Sequence, residues 1–186
     1  MNRSDTPLAS SFVQARHYTP RRNQPVTMIV IHDMESSETV KTAENVASWF
    51  AGPSAPQASA HYCVDSDSTV QCVAEMDVAW HAPGANHCAV GIEMAGRANQ
   101  TLAQWNDPFS KLMGLRTAML CVDIMRRRKI PNVFLTAKDL VAGKRSGITT
   151  HNEVSRAFKK STHTDPGPQW PRSAFMATIT GLLVPK

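Results

Sequence analysis

Apolar positions along this chain come in short blocks whose spacing switches between the strand and helix periods. Val26 to Ile31 is a nearly unbroken apolar and β-branched run, the pattern of a strand buried on both faces and so central in a sheet. Ala43, Val46, Ala47 and Phe50 recur at the spacing of one helical face, and Gly52-Pro53 ends that helix. Ser59 to Val64 and Thr69 to Val73 read as paired strands across Asp65-Ser66-Asp67-Ser68, and Ala89 to Met94 as a further strand. Asp107-Pro108 starts a long helix, with the carboxylate as N-cap and Phe109, Leu112, Met113, Met119 and Leu120 on one face. Thr136 to Asp139 is close to a capping box before a short helix stopped by Gly143. Gly147 to Thr150 is β-prone, and Pro171, Phe175, Ile179 and Leu182 outline a terminal helix. Strands alternating with helices around a central hairpin predict an α/β single domain, a central mixed β-sheet flanked by helices. Residues 1–24 are polar and carry neither period, which predicts an arm that wraps the domain or stays mobile; residues 25–186 form the domain itself.

Composition narrows this little. The 186 residues, 42% of them hydrophobic, suit one ordinary core. No apolar stretch approaches the roughly 20 residues that span a bilayer, and the N-terminus lacks the apolar block of a secretion signal. Synthesis in the cytoplasm without membrane insertion is therefore expected. The formal charge is +5, with basic clusters at Arg126 to Lys129, Lys144-Arg145 and Lys159-Lys160. Charge alone suits nucleic acid and anionic cell-wall polymers equally, and solvated helix ends explain any one cluster as well. The run at Arg126 also complements the negative pole of its own helix. Four cysteines without a C-x-x-C pair exclude a structural zinc knuckle. With Asp67-Ser68 as a two-residue hairpin loop, Cys63 and Cys72 would face each other and could bridge; reduced core thiols are the alternative expected in a reducing compartment.

The candidate chemistry lies in histidines and a turn. His32 closes the first apolar strand, His151 follows the strand before it, and Thr162-His163-Thr164-Asp165-Pro166-Gly167-Pro168 sets a carboxylate in a rigid turn. Two histidines and a carboxylate, with a fourth position left to water, make a catalytic-type zinc site. Polar residues at unrelated element ends would look the same, and ligands so far apart in sequence are not established by spacing. His81 and His87 around Pro83-Gly84 suggest a second metal pair or, more simply, loop histidines.

Six blocks in order carry a resemblance: Ile29-Val30-Ile31-His32, Ser59-Ala60-His61-Tyr62, Ala79-Trp80-His81-Ala82, Val90-Gly91-Ile92-Glu93, Thr150-His151-Asn152-Glu153 and Thr164-Asp165-Pro166-Gly167-Pro168. Across residues 26–182 the chain resembles the zinc-dependent N-acetylmuramoyl-L-alanine amidases shared by phage endolysins, bacterial muropeptide amidases and peptidoglycan recognition proteins. The resemblance implies one Zn²⁺ held by His32, His151 and Asp165, with Glu93 as general base. It places His163 where many members carry an oxyanion-stabilising lysine; an imidazolium could donate the same hydrogen bond, with activity falling on the alkaline side as it deprotonates, and the other reading of His163 is a partner behind the metal ligands or an alternative ligand. It implies a substrate groove lined by His61, Tyr62, Trp80 and His81, with a hydrogen-bonded place inside the sheet as the other reading of His61 and a partly core place as that of Trp80, and Asn152 with Glu153 orienting His151 or capping the next turn. The expected reaction is cleavage of the amide between the lactyl group of N-acetylmuramic acid and L-alanine of the stem peptide. The expected setting is a monomeric endolysin released by a holin, with peptidoglycan and anionic wall polymers as partners and no nucleic acid. A cytoplasmic muropeptide-recycling amidase and a non-catalytic peptidoglycan-binding module are the rivals.

Overall fold

Eight strands and six α-helices follow one another along residues 4–184, the part of the chain that the computed structural model describes. Residues 1–3 of the expected arm and residues 185–186 of the expected domain lie outside the described residues. The strands are β1 (Ser11–Phe12), β2 (Tyr18–Thr19), β3 (Met28–Asp33), β4 (Tyr62–Val64), β5 (Thr69–Gln71), β6 (Val78–Ala79), β7 (Ala89–Met94) and β8 (Gly147–Thr150). The helices are α1 (Thr42–Ala51), α2 (Leu102–Trp105), α3 (Pro108–Arg128), α4 (Ala137–Val141), α5 (His151–Phe158) and α6 (Arg172–Leu183). Six strands form a mixed sheet in the order β1-β5-β4-β7-β3-β8, and β2 pairs separately with β6. The four strands β4, β7, β3 and β8 run parallel, whereas β5 is antiparallel to β4.

Period-two alternation divides the sheet between two layers. Ile29, Ile31, Val90, Ile92 and Met94 pack with α3 and α6, while Met28, Val30 and Ala89 pack with Leu140 of α4 and Val154 of α5. His32 and Glu93 therefore point to the second layer, opposite each other in register. β3 is buried throughout, as its apolar run requires, and pairing with β7 continues to Asp33, so His32 sits inside the strand.

The hairpin register corrects one expectation. Cys63 stands opposite Val70, because residues 65–68 form a four-residue loop in which Asp65 Oδ1 accepts the Asp67 and Ser68 N–H groups. Cys63 and Cys72 are thus diagonal neighbours, free thiols with sulfurs 3.8 Å apart. The other Asp65 oxygen accepts from Ala43 N–H and so caps α1 from across the fold.

α3 starts where expected, with the Asp107 carboxylate accepting from Ser110 N–H. Its buried face is Met113, Thr117, Leu120, Cys121 and Ile124; Leu112 and Met119 are 57% and 42% exposed. Apolar residues occur all around this helix, so contacts with the sheet and α6 decide its rotation. Its basic end works inside the protein: Arg127 and Arg128 hold the buried Glu75 carboxylate, which also accepts from Tyr62 Oη at 2.8 Å. The arm runs along the domain, β1 beside β5 and β2 beside β6. Its Arg22 is 8% exposed and donates to the carbonyls of Glu75, Asp77, His87 and Ala89. Among the described residues no helix is long and apolar enough to cross a membrane.

Candidate active site and metal centre

The site forms at the carboxyl ends of the parallel strands, where side chains leaving neighbouring strands converge. β3 supplies His32 and β7 supplies Glu93. β8 lies on the other side of β3, so His151, the first residue of α5, emerges beside His32. The Thr150 hydroxyl caps α5 by accepting from Glu153 N–H, which fixes the strand-to-helix turn carrying His151. Asp165 comes from the 162–168 turn, which is tied to α5 by Asn152 N–H donating to the Asp165 carbonyl. The Asp165-Pro166 peptide is cis, and Gly167 has φ of 91°. A Cβ on Gly167 would fall 1.8 Å from the Ala98 carbonyl oxygen, so only glycine lets this turn pack there.

The donor atoms meet closely. His32 Nδ1 is 3.1 Å from His151 Nδ1 and 3.1 Å from Asp165 Oδ2, and His151 Nδ1 is 3.1 Å from Asp165 Oδ1. Tetrahedral coordination with bonds of about 2.0–2.1 Å separates nitrogen and oxygen donors by roughly 3.3–3.4 Å, so this trio is within a few tenths of an ångström of a zinc site. Asp165 Oδ1 is buried and accepts no hydrogen bond, a cost that a cation would remove. Burial would raise the Asp165 carboxyl, but the His151 and His32 imidazoles hold it well below the carboxylate range, ionised as a ligand must be. Burial pushes His32 down to about 4, keeping its imidazole neutral.

Glu93 Oε1 is 3.9 Å from His32 Nδ1, and Oε2 is buried without a partner. Burial, then repulsion from Asp165 and Asp33, pushes the Glu93 carboxyl well above its ordinary range. These groups floor a cleft of about 410 Å³ walled on one side by Val46, Trp49 and Phe50 and by Trp80.

The profile of the N-acetylmuramoyl-L-alanine amidase family matches residues 22–168, a stretch that includes every residue of this site. The chain belongs to that family. It is 31% identical over 173 residues to N-acetylmuramoyl-L-alanine amidase A of Achromobacter lyticus, covering 89% of each sequence. The fold is shared with a crystal structure of an AmpD derivative (TM-score 0.68, 18% identity, 94% and 96% of the two chains). It is shared too with the Staphylococcus aureus hydrolase AmiA (TM-score 0.65, 14% identity, 96% and 83%). The catalytic domain of XlyA gives a TM-score of 0.62 at 17% identity, with 90% and 95% covered.

Within this amidase-family site the groove residues expected from the sequence separate. His163 lies on the rim, its side chain 62% exposed and its ring stacked on His151 at 4.2 Å. Trp80 is half-buried in the cleft wall, stacked on His17, with its indole N–H donated to Thr19. His61 and Tyr62 do not line the groove. His61 is wholly buried, with Nδ1 accepting from Gly91 N–H and Nε2 2.9 Å from Arg22, and burial and that guanidinium push it down to about 3. Tyr62 is wholly buried on Glu75 on the other face of the sheet. Alternation sends the two side chains to opposite faces, and both stand at the amino end of β4, away from the carboxyl strand ends where the site forms. Asn152 meets the site through its main-chain N–H, which donates to the Asp165 carbonyl.

Sequence reading missed several members. Asp33 lines the cleft, and burial raises its carboxyl to about 8. Ser161 Oγ lies 3.3 Å from His151 Nε2 and 2.6 Å from Ser155 Oγ, holding the outer edge of that ring. Ser161 stands in a loop and Ser155 is a single polar position inside α5, so the link from either to His151 gives no signal in the sequence.

Proposed function

We propose that the protein is a zinc-dependent peptidoglycan hydrolase that cuts the amide between the lactyl group of N-acetylmuramic acid and L-alanine, working on the assembled wall as an endolysin. The observation that carries this is the meeting of His32, His151 and Asp165 with the buried, unpartnered Glu93 carboxyl on one cleft floor. Bound there, zinc supplies Lewis acidity that polarises a carbonyl and lets water lose a proton near pH ~7. Glu93, whose proton affinity is raised by burial, takes the proton of the attacking water and returns it to the departing alanine amine. His163 stands on the rim beside His151 and Asp165 and donates to the carbonyl oxygen as it gains charge. The exposed face of Trp49 and the half-buried Trp80 offer apolar surface to a sugar ring, which orients the bond over the floor. A net charge of +5 favours retention on an anionic wall.

The test is digestion of isolated walls and of soluble muropeptides by the zinc-loaded protein. Walls should clear and release L-alanine amino termini without new reducing ends. Turnover confined to soluble fragments would reassign the protein to muropeptide recycling, and new reducing ends would sink the amidase reading.

A further inference from the structure

His32 has a second ring nitrogen, and its neighbour is specific. Nδ1 faces His151, Asp165 and Glu93, so a cation there needs the Nδ1 lone pair, and the ring proton belongs on Nε2. That Nε2 lies 3.0 Å from Nδ1 of His81, with the two rings at 86°. His81 is 7% exposed. Its ring fills the space left by the missing side chain of Gly91, where a Cβ would come within 2.5 Å of His81 Cγ. The backbone beneath the ring is fixed as well, since the N–H groups of His81 and Ala82 both donate to Asn86 Oδ1. His81 Nε2 is buried and has no hydrogen-bond partner. A histidine kept only for packing has no reason to bury an unsatisfied ring nitrogen.

We infer that His81 is a positioning residue: its Nδ1 accepts the Nε2 proton of His32 and thereby fixes the tautomer and ring plane that turn His32 Nδ1 toward the metal. The usual outer partner of a ligating histidine is a carboxylate, a carbonyl or water. Here a neutral imidazole takes that place, and its own proton is driven to the buried Nε2. Gly91, two residues before Glu93 on the same strand face, is part of the device because any side chain would displace the ring. His81, expected from the sequence to touch substrate, is thereby assigned to the metal centre.

This inference rests on the zinc reading, and its test separates the two. Zinc affinity is measured by competition with a chromophoric chelator for the parent, His81→Ala and His81→Asn, with cobalt(II) absorption as a second readout. Asparagine places an acceptor oxygen near the Nδ1 position. We expect His81→Ala to bind zinc about 10- to 100-fold more weakly, with an altered cobalt spectrum, and His81→Asn to recover most of the loss. Side-chain ¹⁵N shifts of the zinc-loaded parent should place the proton on Nε2 of both His32 and His81, a result that does not depend on any variant folding. Equal affinity in His81→Ala and the parent, or a proton on Nδ1 of His81, overturns the inference and leaves the zinc reading intact. A parent that binds no zinc overturns both.

Discussion

Replacing Glu93 by glutamine keeps the shape of the floor and removes the group proposed to move the proton. Activity on walls should fall about 10²- to 10⁴-fold, while zinc content, measured by elemental analysis, stays at the parent level. A variant as active as the parent would remove Glu93 from the mechanism. For His163 the expected loss on change to alanine is about 10²- to 10³-fold in kcat, the size of one oxyanion donor, with lysine at this position restoring activity. Gly167→Ala should be severe for a different reason: its Cβ would overlap the Ala98 carbonyl and its φ of 91° suits only glycine. We expect about 1–3 kcal/mol of lost stability by denaturant titration, with weaker zinc retention as the Asp165 turn shifts. At this scale the proposed ligands were legible because each stands in a recognisable block, His32 after an apolar run, His151 after a β-prone one and Asp165 in a proline-glycine turn. His61 and Tyr62 stand in an equally recognisable block, yet the sheet buries both, one toward Arg22 and one toward Glu75.

At the scale of elements, the end of α3 shows how a surface-like sequence feature becomes internal. Arg127 and Arg128 close on Glu75, and their hydrogen bonds outweigh the burial that would raise its carboxyl, holding it at about 2 instead of 4.5. A depressed carboxyl stabilises the fold fully above its unfolded value, and that contribution disappears as pH falls from 4.5 through about 2. Urea titrations of the metal-free protein between pH 7 and pH 3 should therefore show a loss that Glu75→Gln lacks, and that variant should already be about 3–5 kcal/mol weaker at pH 7. A parallel pH dependence in the two proteins would assign the acid loss to other carboxylates. The strands β3, β4, β5, β7 and β8, the cap of α3 and the terminal helix were legible from period and capping residues, whereas the two-residue strands β1, β2 and β6 were not. The rotation of α3 was not, because Leu112 and Met119 are as apolar as the residues that it buries.

For the whole molecule, zinc and salt are the two external variables. The three proposed ligands come from three separate elements, so zinc held by them would bind only the folded protein, and chelation should lower the melting temperature. Restoring zinc at 1,000 times its Kd should return about 4 kcal/mol. An unchanged melting temperature with EDTA would contradict the metal site. Wall association should weaken as ionic strength rises, since the net charge of +5 acts through a screened field. Part of the basic surface is already neutralised by Glu75, Asp123 and Asp139, so the salt dependence should be shallower than a count of lysines and arginines suggests.

The sequence by itself determined the α/β alternation, the central buried strand, the cap of the long helix and the strand ends and turn that carry His32, His151 and Asp165, because each is written in local period or turn chemistry; Glu93 stood out only through the family resemblance of its block. Only the tertiary structure decided which histidines reach the cleft, that Cys63 faces Val70, that Arg22 and Glu75 are buried, and that His81 stands behind His32. Those outcomes depend on strand register and on which side chain a glycine leaves room for, and both are set by contacts between residues distant in the chain.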